Sequence, residues 1–426
     1  MAFLRSDIIN KELVDAVLSK IEGTKKVALE TLTVGPSPYG RATLLEERYG
    51  VQATAKIRGH AKDYHWIAKI LRSDVEKSNH ARFLGILETE SNFYQLLVPE
   101  LTALGAPLPQ FYPLLHSEYK KLGREILLLS DIRQLGFEAI KIDGKGNVLN
   151  NLDLGHTIKA IEWMARLHGL GYVLLAQHPR GPTGWIEDNP WIRKEDQERK
   201  EKPQTVHIDE TDADGFRSRL MAMAARAIKS QTENNKRVDQ YLERQNWLDD
   251  LRQEMWSNES ASSNQIPFRT ILHGEPWHGN VLYQYKKDPD QLDYPFTAAL
   301  GDLQSCTYGR PGSDIAHFLL TSTTREFRKK YLDIVLKAYL LELEDVIQSQ
   351  GMDHVPYSMQ DLSADYKQGL VLGITFCLFA MPMLSDEQVD GPVQIGDYGD
   401  EVDSADALIT PTIANKILEG IQEVLE

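Results

Sequence analysis

The chain has 426 residues, 42% hydrophobic and 26% charged, a profile expected of a soluble globular protein long enough for two or three packed units. Its 47 Lys and Arg stand against 62 Asp and Glu, giving a formal net charge of −15. That balance argues against nucleic acid or an anionic membrane as the main partner, although a locally positive pocket still accepts a small anion.

The N-terminal stretch "MAFLRSDIINKELVDAVLSKI" mixes charges with apolar residues at helical spacing, unlike a signal peptide. "RATLLEERYGVQATAKIRG" (41–59) and "YHWIAKIL" (64–71) predict strands, "FLGILETESNFYQLLVPEL" (83–101) a helix and "REILLLSDI" (124–132) another strand. From about residue 150 helices dominate. "LDLGHTIKAIEWMARLHGL" carries Leu154, Ile158, Ile161, Ala165 and His168 at steps of three and four. The polar, proline-bearing stretch 177–210 reads as a long loop or insertion, and further helices are expected at about 212–256, 312–349 and 359–382. "GLVLGITFCLFAMPML" (369–384) is short for a membrane span and contains Pro382, so a buried core helix is expected. Cys306 and Cys377 have no metal-type spacing and suggest a reducing, cytoplasmic setting. The pattern as a whole predicts an α+β chain: a small, β-rich N-terminal lobe (1–130), then a larger, mainly helical C-terminal lobe (131–426), with a ligand in the cleft between them.

Two charges interrupt apolar faces. Alternation places Ile67, Lys69 and Leu71 on one side of a strand, and Glu90 falls inside the helical stripe of Phe83, Leu87, Tyr94 and Leu97. A lone buried charge costs several kcal/mol, so the economical arrangement pairs Lys69 with Glu90 and lets Lys69 reach a phosphate. The alternative is that Lys69 snorkels to solvent and Glu90 marks the helix edge.

"HGEPWHGN" (273–280) leads into "VLYQY", a turn-rich segment and "FTAALGDLQ", which together have the pattern of a β-hairpin. Antiparallel pairing would bring Asn280 and Asp302 side by side, and an amide oxygen with a carboxylate suits a magnesium–nucleotide complex. A turn Asn and a capping Asp are the plainer alternative. Glu275, in a glycine-permitted loop, is a candidate to take or orient the proton of an attacking hydroxyl. His273 is expected to pin the loop, and His278 reads as an exposed loop residue without a role. Zinc held by both histidines and Glu275 is disfavoured, because Pro276 breaks any metal-binding helix there.

In this order, the strand Lys, the helix "ETESNFYQLLVPEL", "LLLSDI", "MARLHGL", "HGEPWHGN", "GDLQ" and "YGRPGSDIAHFLLTS" resemble the ecdysteroid kinase-like (CHK kinase-like) family of the aminoglycoside-phosphotransferase and choline-kinase group. The resemblance runs from about residue 30 to 385. It implies a bilobal protein-kinase-like fold and an ATP- and Mg2+-dependent kinase acting on a hydroxyl of a small molecule, an ecdysteroid-like steroid among the candidates. Lys69 would meet the nucleotide phosphates with Glu90 as its partner, and the backbone of Leu129, Ser130 and Asp131 would meet the adenine. Asn280 and Asp302 would ligate magnesium, and Glu275 would fill the catalytic-base slot. Asp314 and His273 would hold the loop. The chain departs from the family pattern at Glu275, where aspartate is usual, at Ser130, where glutamate is usual, and in "VGPSPYGRATLL", whose two prolines remove amide donors from the phosphate-covering loop. These departures keep open a pseudokinase that binds nucleotide or ligand without turnover. A protein kinase is disfavoured, since "DLQ" runs straight into "YGRPGSDIAHFL" with no activation segment. Trp185, Trp191 and Phe376 either line an apolar acceptor site or belong to ordinary core.

Overall fold

The computed structural model describes residues 8–37, 46–71, 85–104, 115–121, 124–140, 151–194, 213–230, 235–257, 268–285, 294–384 and 409–426. Residues 38–45 of the stretch expected to cover phosphate, 195–210 of the expected insertion and 286–293 of the expected hairpin turn lie outside them. The chain divides into two compact units, Met1–Ala139 and Ile140–Glu426.

The first unit is built on strands β1 (Val27–Pro36), β2 (Glu46–Ile57), β3 (His60–Leu71), β4 (Leu115–Lys121) and β5 (Arg124–Ser130). They form one sheet in the order β1-β2-β3-β5-β4. Every pairing is antiparallel. Arg58 and Gly59, both at positive φ, make the tight turn between β2 and β3, which pair without interruption from Glu46↔Leu71 to Ile57↔His60. Helix α1 (Lys11–Ile21), capped by Asn10, lays Leu13, Val14, Val17 and Leu18 on one sheet face, against Ala53, Ala55, Trp66, Ala68 and Ile70. Strand alternation then sends Ile67, Lys69 and Leu71 to the other face.

The next described helix after β3 is α2 (Ile86–Asn92), which passes through one wide turn at Phe93–Leu97 into α3 (Val98–Ala103). Pro99 accounts for the wide turn: a proline ring meets the carbonyl four residues earlier, and widening the helix relieves that clash.

The second unit is mostly helical. Its long members are α4 (Leu154–Gln177), α8 (Pro311–Ser322), α9 (Arg325–Ser349), α10 (Met359–Phe379) and α11 (Pro411–Leu425), if α5 is Gly181–Asp188, α6 Ala213–Lys229 and α7 Trp247–Ser257. Helix α8 is buried along its whole length and packs tightly on α10, where a Cβ on Gly369 would stand 2.7 Å from the Cα of Ser313. The apolar stretch 369–384 is therefore core, with Leu370, Val371, Ile374 and Cys377 buried in α10. Among the described residues no helix is long and apolar enough to cross a membrane.

The stretch from 177 is not all loop. Its described part contains α5, which has Pro182 in its first turn, where the missing N–H of proline is harmless. The C-terminal helix α11 is docked by Arg328 of α9, which is buried and reaches both Glu419 and Glu423.

Candidate active site

In the sheet unit, Lys69 Nζ lies 2.7 Å from both carboxylate oxygens of Glu90. Lys69 is 4% exposed and Glu90 0%. The side chains meet because odd-numbered residues of β3 face the helix that carries Glu90. Removing two charges from water costs several kcal/mol per ion before their attraction is counted, so such a pair adds little stability over apolar packing. Arg48 stands directly across from Lys69 in β2 and is held by the buried Glu46.

At the end of β5, Leu129 lies between Ile67 and Leu115 in the two ladders. Ser130 is opposite Trp66, and the next amide, that of Asp131, donates to the His65 carbonyl at 3.1 Å. This register turns the N–H and C=O of Ser130 away from β3. The Asp131 carboxylate accepts from Arg133, and its carbonyl from the Gln134 amide.

In the helical unit, four strands organise the loops. β6 (Thr270–Leu272) pairs with β9 (Thr307–Gly309), and β7 (Val281–Tyr285) pairs with β8 (Pro295–Leu300). The last pair of the β7–β8 hairpin is Val281↔Leu300, and Gly301 N–H donates to the Asn280 carbonyl at 2.9 Å. Asn280 and Asp302 are thus neighbours although 22 positions apart. Asn280 donates its side-chain amide to the Glu275 carbonyl at 3.2 Å, which leaves Oδ1 as the atom suited to a cation. Asp302 sits at φ 67°, ψ 58°, a left-handed conformation that Asp tolerates better than most residues.

The loop from His273 to Glu275 is pinned by Asp314 at the start of α8. The carboxylate of Asp314 accepts from the His273 amide at 2.7 Å and the Gly274 amide at 3.0 Å, and His168 Nε2 lies 3.1 Å from it. Burial alone would raise the Asp314 pKa, but the His168 bond, the fields of His168 and His273 and the backbone donor hold it below the usual carboxylate value. Burial pushes the His273 ring down from the ordinary imidazole value, against the pull of Asp314. A neutral His273 then donates from Nε2 to the Gly301 carbonyl (2.9 Å) and accepts the Glu275 amide at Nδ1 (3.3 Å), a tautomer assigned from its partners.

Glu275 is half-buried. Its Oε2 accepts from Ser305 Oγ at 2.9 Å and lies 3.4 Å from Gln304 Nε2. Ser305 carries no sequence signal and is a contact that motif spacing misses. His278, read as exposed, is instead buried: its amide donates to Ser322 Oγ at 2.9 Å and its ring stands edge-on to Trp277, 5.1 Å away. The loop folds inward there because Trp277 and Asn280 anchor a single tight turn. The aromatic candidates pack in two separate groups, Trp185 with Trp191 and Phe376 with His317 and Trp277.

Among the described residues no group of three or more His, Cys, Asp or Glu has a metal-holding arrangement. Two hard oxygen donors, from Asn280 and Asp302, still match Mg2+, which takes one or two protein ligands and completes its shell with phosphate and water. From Asp302 the chain makes one turn at Leu303–Ser305, then strand β9, and enters α8 at Pro311, so no segment intervenes that would seat a peptide.

The model of the ecdysteroid kinase-like family matches residues 47–352, and the chain belongs to that family. Among solved structures, an amicoumacin kinase in complex with AMP-PNP, Ca2+ and Ami is 12% identical, with 97% of this chain and 96% of its own covered and a TM-score of 0.42. The GDP complex of a mutant aminoglycoside 2'-phosphotransferase-IIIa is 11% identical, with 87% and 92% covered and a TM-score of 0.38. No curated protein sequence matches the chain.

Proposed function

From its place in the ecdysteroid kinase-like family, we propose that this protein is a phosphotransferase that moves the terminal phosphoryl group of ATP to a hydroxyl of a small molecule. The family name points to a hydroxylated steroid, an ecdysteroid, as the first acceptor to test. The observation that carries the reading is the buried Lys69–Glu90 pair: it brings little stability over apolar packing, and it fixes an ammonium of the kind that binds phosphate.

In this reading Lys69 contacts the nucleotide phosphates and Glu90 keeps its ammonium aimed. The outward-facing backbone at Ser130, with Leu129 and Asp131 around it, receives the adenine. Asn280 and Asp302 would hold Mg2+, which when bound neutralises charge on the phosphate oxygens. Glu275 orients the acceptor hydroxyl and takes its proton as the new O–P bond forms and the bond to the ADP oxygen breaks. Asp314, His168 and His273 act at one remove by fixing the loop backbone.

The competing reading, a pseudokinase, draws support from the glutamate at position 275, where aspartate is usual, and from the two prolines of "VGPSPYGRATLL". One experiment separates the two. The protein is incubated with Mg-ATP and an ecdysteroid, and phosphate ester is measured by mass spectrometry alongside Mg-ATP binding. Ester formation that Glu275→Gln abolishes supports the kinase. Mg-ATP binding without ester or ADP production supports the pseudokinase.

A further inference from the structure

Building on the phosphotransfer reading, we propose that Ser305 is a positioning residue for Glu275, and that the two together replace the shorter acid usual at this place. The contact follows from the strand register. Leu272 is paired with Thr307, so the residues just after β6 lie beside those just before β9. Gly274 allows the two segments to touch, since any Cβ there would collide with the Ser305 carbonyl. Ser305 Oγ then reaches Glu275 Oε2 at 2.9 Å, with Gln304 Nε2 at 3.4 Å from the same oxygen.

The backbone of the loop is fixed independently of this bond, by Asp314 at residues 273 and 274 and by the His273 ring at residue 275. With the backbone pinned, the position of the carboxylate depends on the glutamate's three side-chain torsions. An untethered glutamate has one more of these to order than an aspartate, and a misplacement of about 1 Å costs on the order of a hundredfold in rate. A hydrogen bond to one carboxylate oxygen removes that freedom. An aspartate on the same backbone is one methylene short of Ser305, so Glu275→Asp is expected to lose activity here rather than gain it.

The test is steady-state Mg-ATP turnover, with an ecdysteroid as acceptor and with water alone, on the full chain. Ser305→Ala is expected to lower kcat by about tenfold to a hundredfold, as for a bond to a charged group, with KM for ATP changed by less than about twofold. Glu275→Asp should lose a similar amount, and the double variant should be no worse than Glu275→Asp alone. Ser305→Thr and Ser305→Val serve where alanine disturbs folding, because they match in shape and differ only in the hydroxyl. Activity retained in Thr and lost in Val supports the inference, and equal activity in both overturns it. Unchanged kcat in Ser305→Ala beside an inactive Glu275→Gln also overturns it but leaves the phosphotransfer reading standing. Full activity in Glu275→Gln, or a wild type that turns over ATP with neither acceptor, removes the reading and the inference together.

Discussion

Gly274 and Ser305 meet through their backbones: a Cβ on Gly274 would stand 1.8 Å from the Ser305 carbonyl oxygen, at a position where φ is +87°. Both the space and the torsion exclude a side chain. Gly274→Ala is expected to cost more than about 2 kcal/mol, from backbone strain and separation of the two segments. It should also displace Glu275 and abolish turnover. Urea unfolding and ATP consumption measure the two effects, and a variant of normal stability and activity would show that the loop and the turn are not held this closely.

Lys69 and Glu90 allow stability to be separated from function. Glu90→Gln leaves an ammonium buried beside a neutral amide and is expected to destabilise by about 3–5 kcal/mol. The double replacement Lys69→Met with Glu90→Leu should recover most of that loss, since apolar packing substitutes well for a buried pair. Nucleotide binding should remain lost. Chemical denaturation and Mg-ATP titration of the three proteins provide the comparison.

Asp302 combines a left-handed backbone with a proposed metal-ligand role, and two substitutions part these properties. Asparagine tolerates that backbone, so Asp302→Asn should stay within about 0.5 kcal/mol of the wild type, whereas Asp302→Ala should cost about 1 kcal/mol more. Both should lose magnesium-dependent turnover by at least about a hundredfold. Thermal denaturation and magnesium titrations of activity test these outcomes.

Lys416 makes stability depend on alkaline pH. Its ammonium is buried in α11, bonds to Asn151 Oδ1 at 2.8 Å and to the Thr323 carbonyl, and burial pushes its pKa from 10.5 down to about 8. A lysine whose folded pKa is depressed carries a penalty that is fully present below about pH 8 and disappears as pH rises to the unfolded value. Relative to Lys416→Met, the wild type should therefore gain on the order of 3 kcal/mol between pH 8 and 10.5. Urea unfolding of both proteins across that range gives the difference; a flat difference would mean Lys416 stays solvated.

What the sequence discloses follows from how local each constraint is. The Lys69–Glu90 contact is legible because a charge within an apolar stripe must find a partner, and strand and helix periodicity fix both faces. The neighbourhood of Asn280 and Asp302 is legible because hairpin pairing is set by adjacent strands. The Ser305–Glu275 contact is not, because it depends on pairing between strands of three residues, too short to show alternation. Helix α5 is hidden for a related reason: eight residues give two turns, and Pro182 reads as a breaker unless its place in the first turn is known. The inward turn of His278 depends on Trp277 and Ser322, which no local pattern connects. Helix α11 has strong helical spacing, but its buried Lys416 finds its partners in Asn151 and Thr323, far away in the chain.

Calorimetric titration of ATP into the protein, with and without Mg2+, tests the central claim most directly, since it asks whether Lys69 and Asp302 serve one metal-bound nucleotide. The account predicts magnesium-dependent binding in the wild type that weakens by at least about tenfold in Lys69→Met and in Asp302→Asn. No binding by the wild type, or equal binding by wild type and both variants, would contradict it.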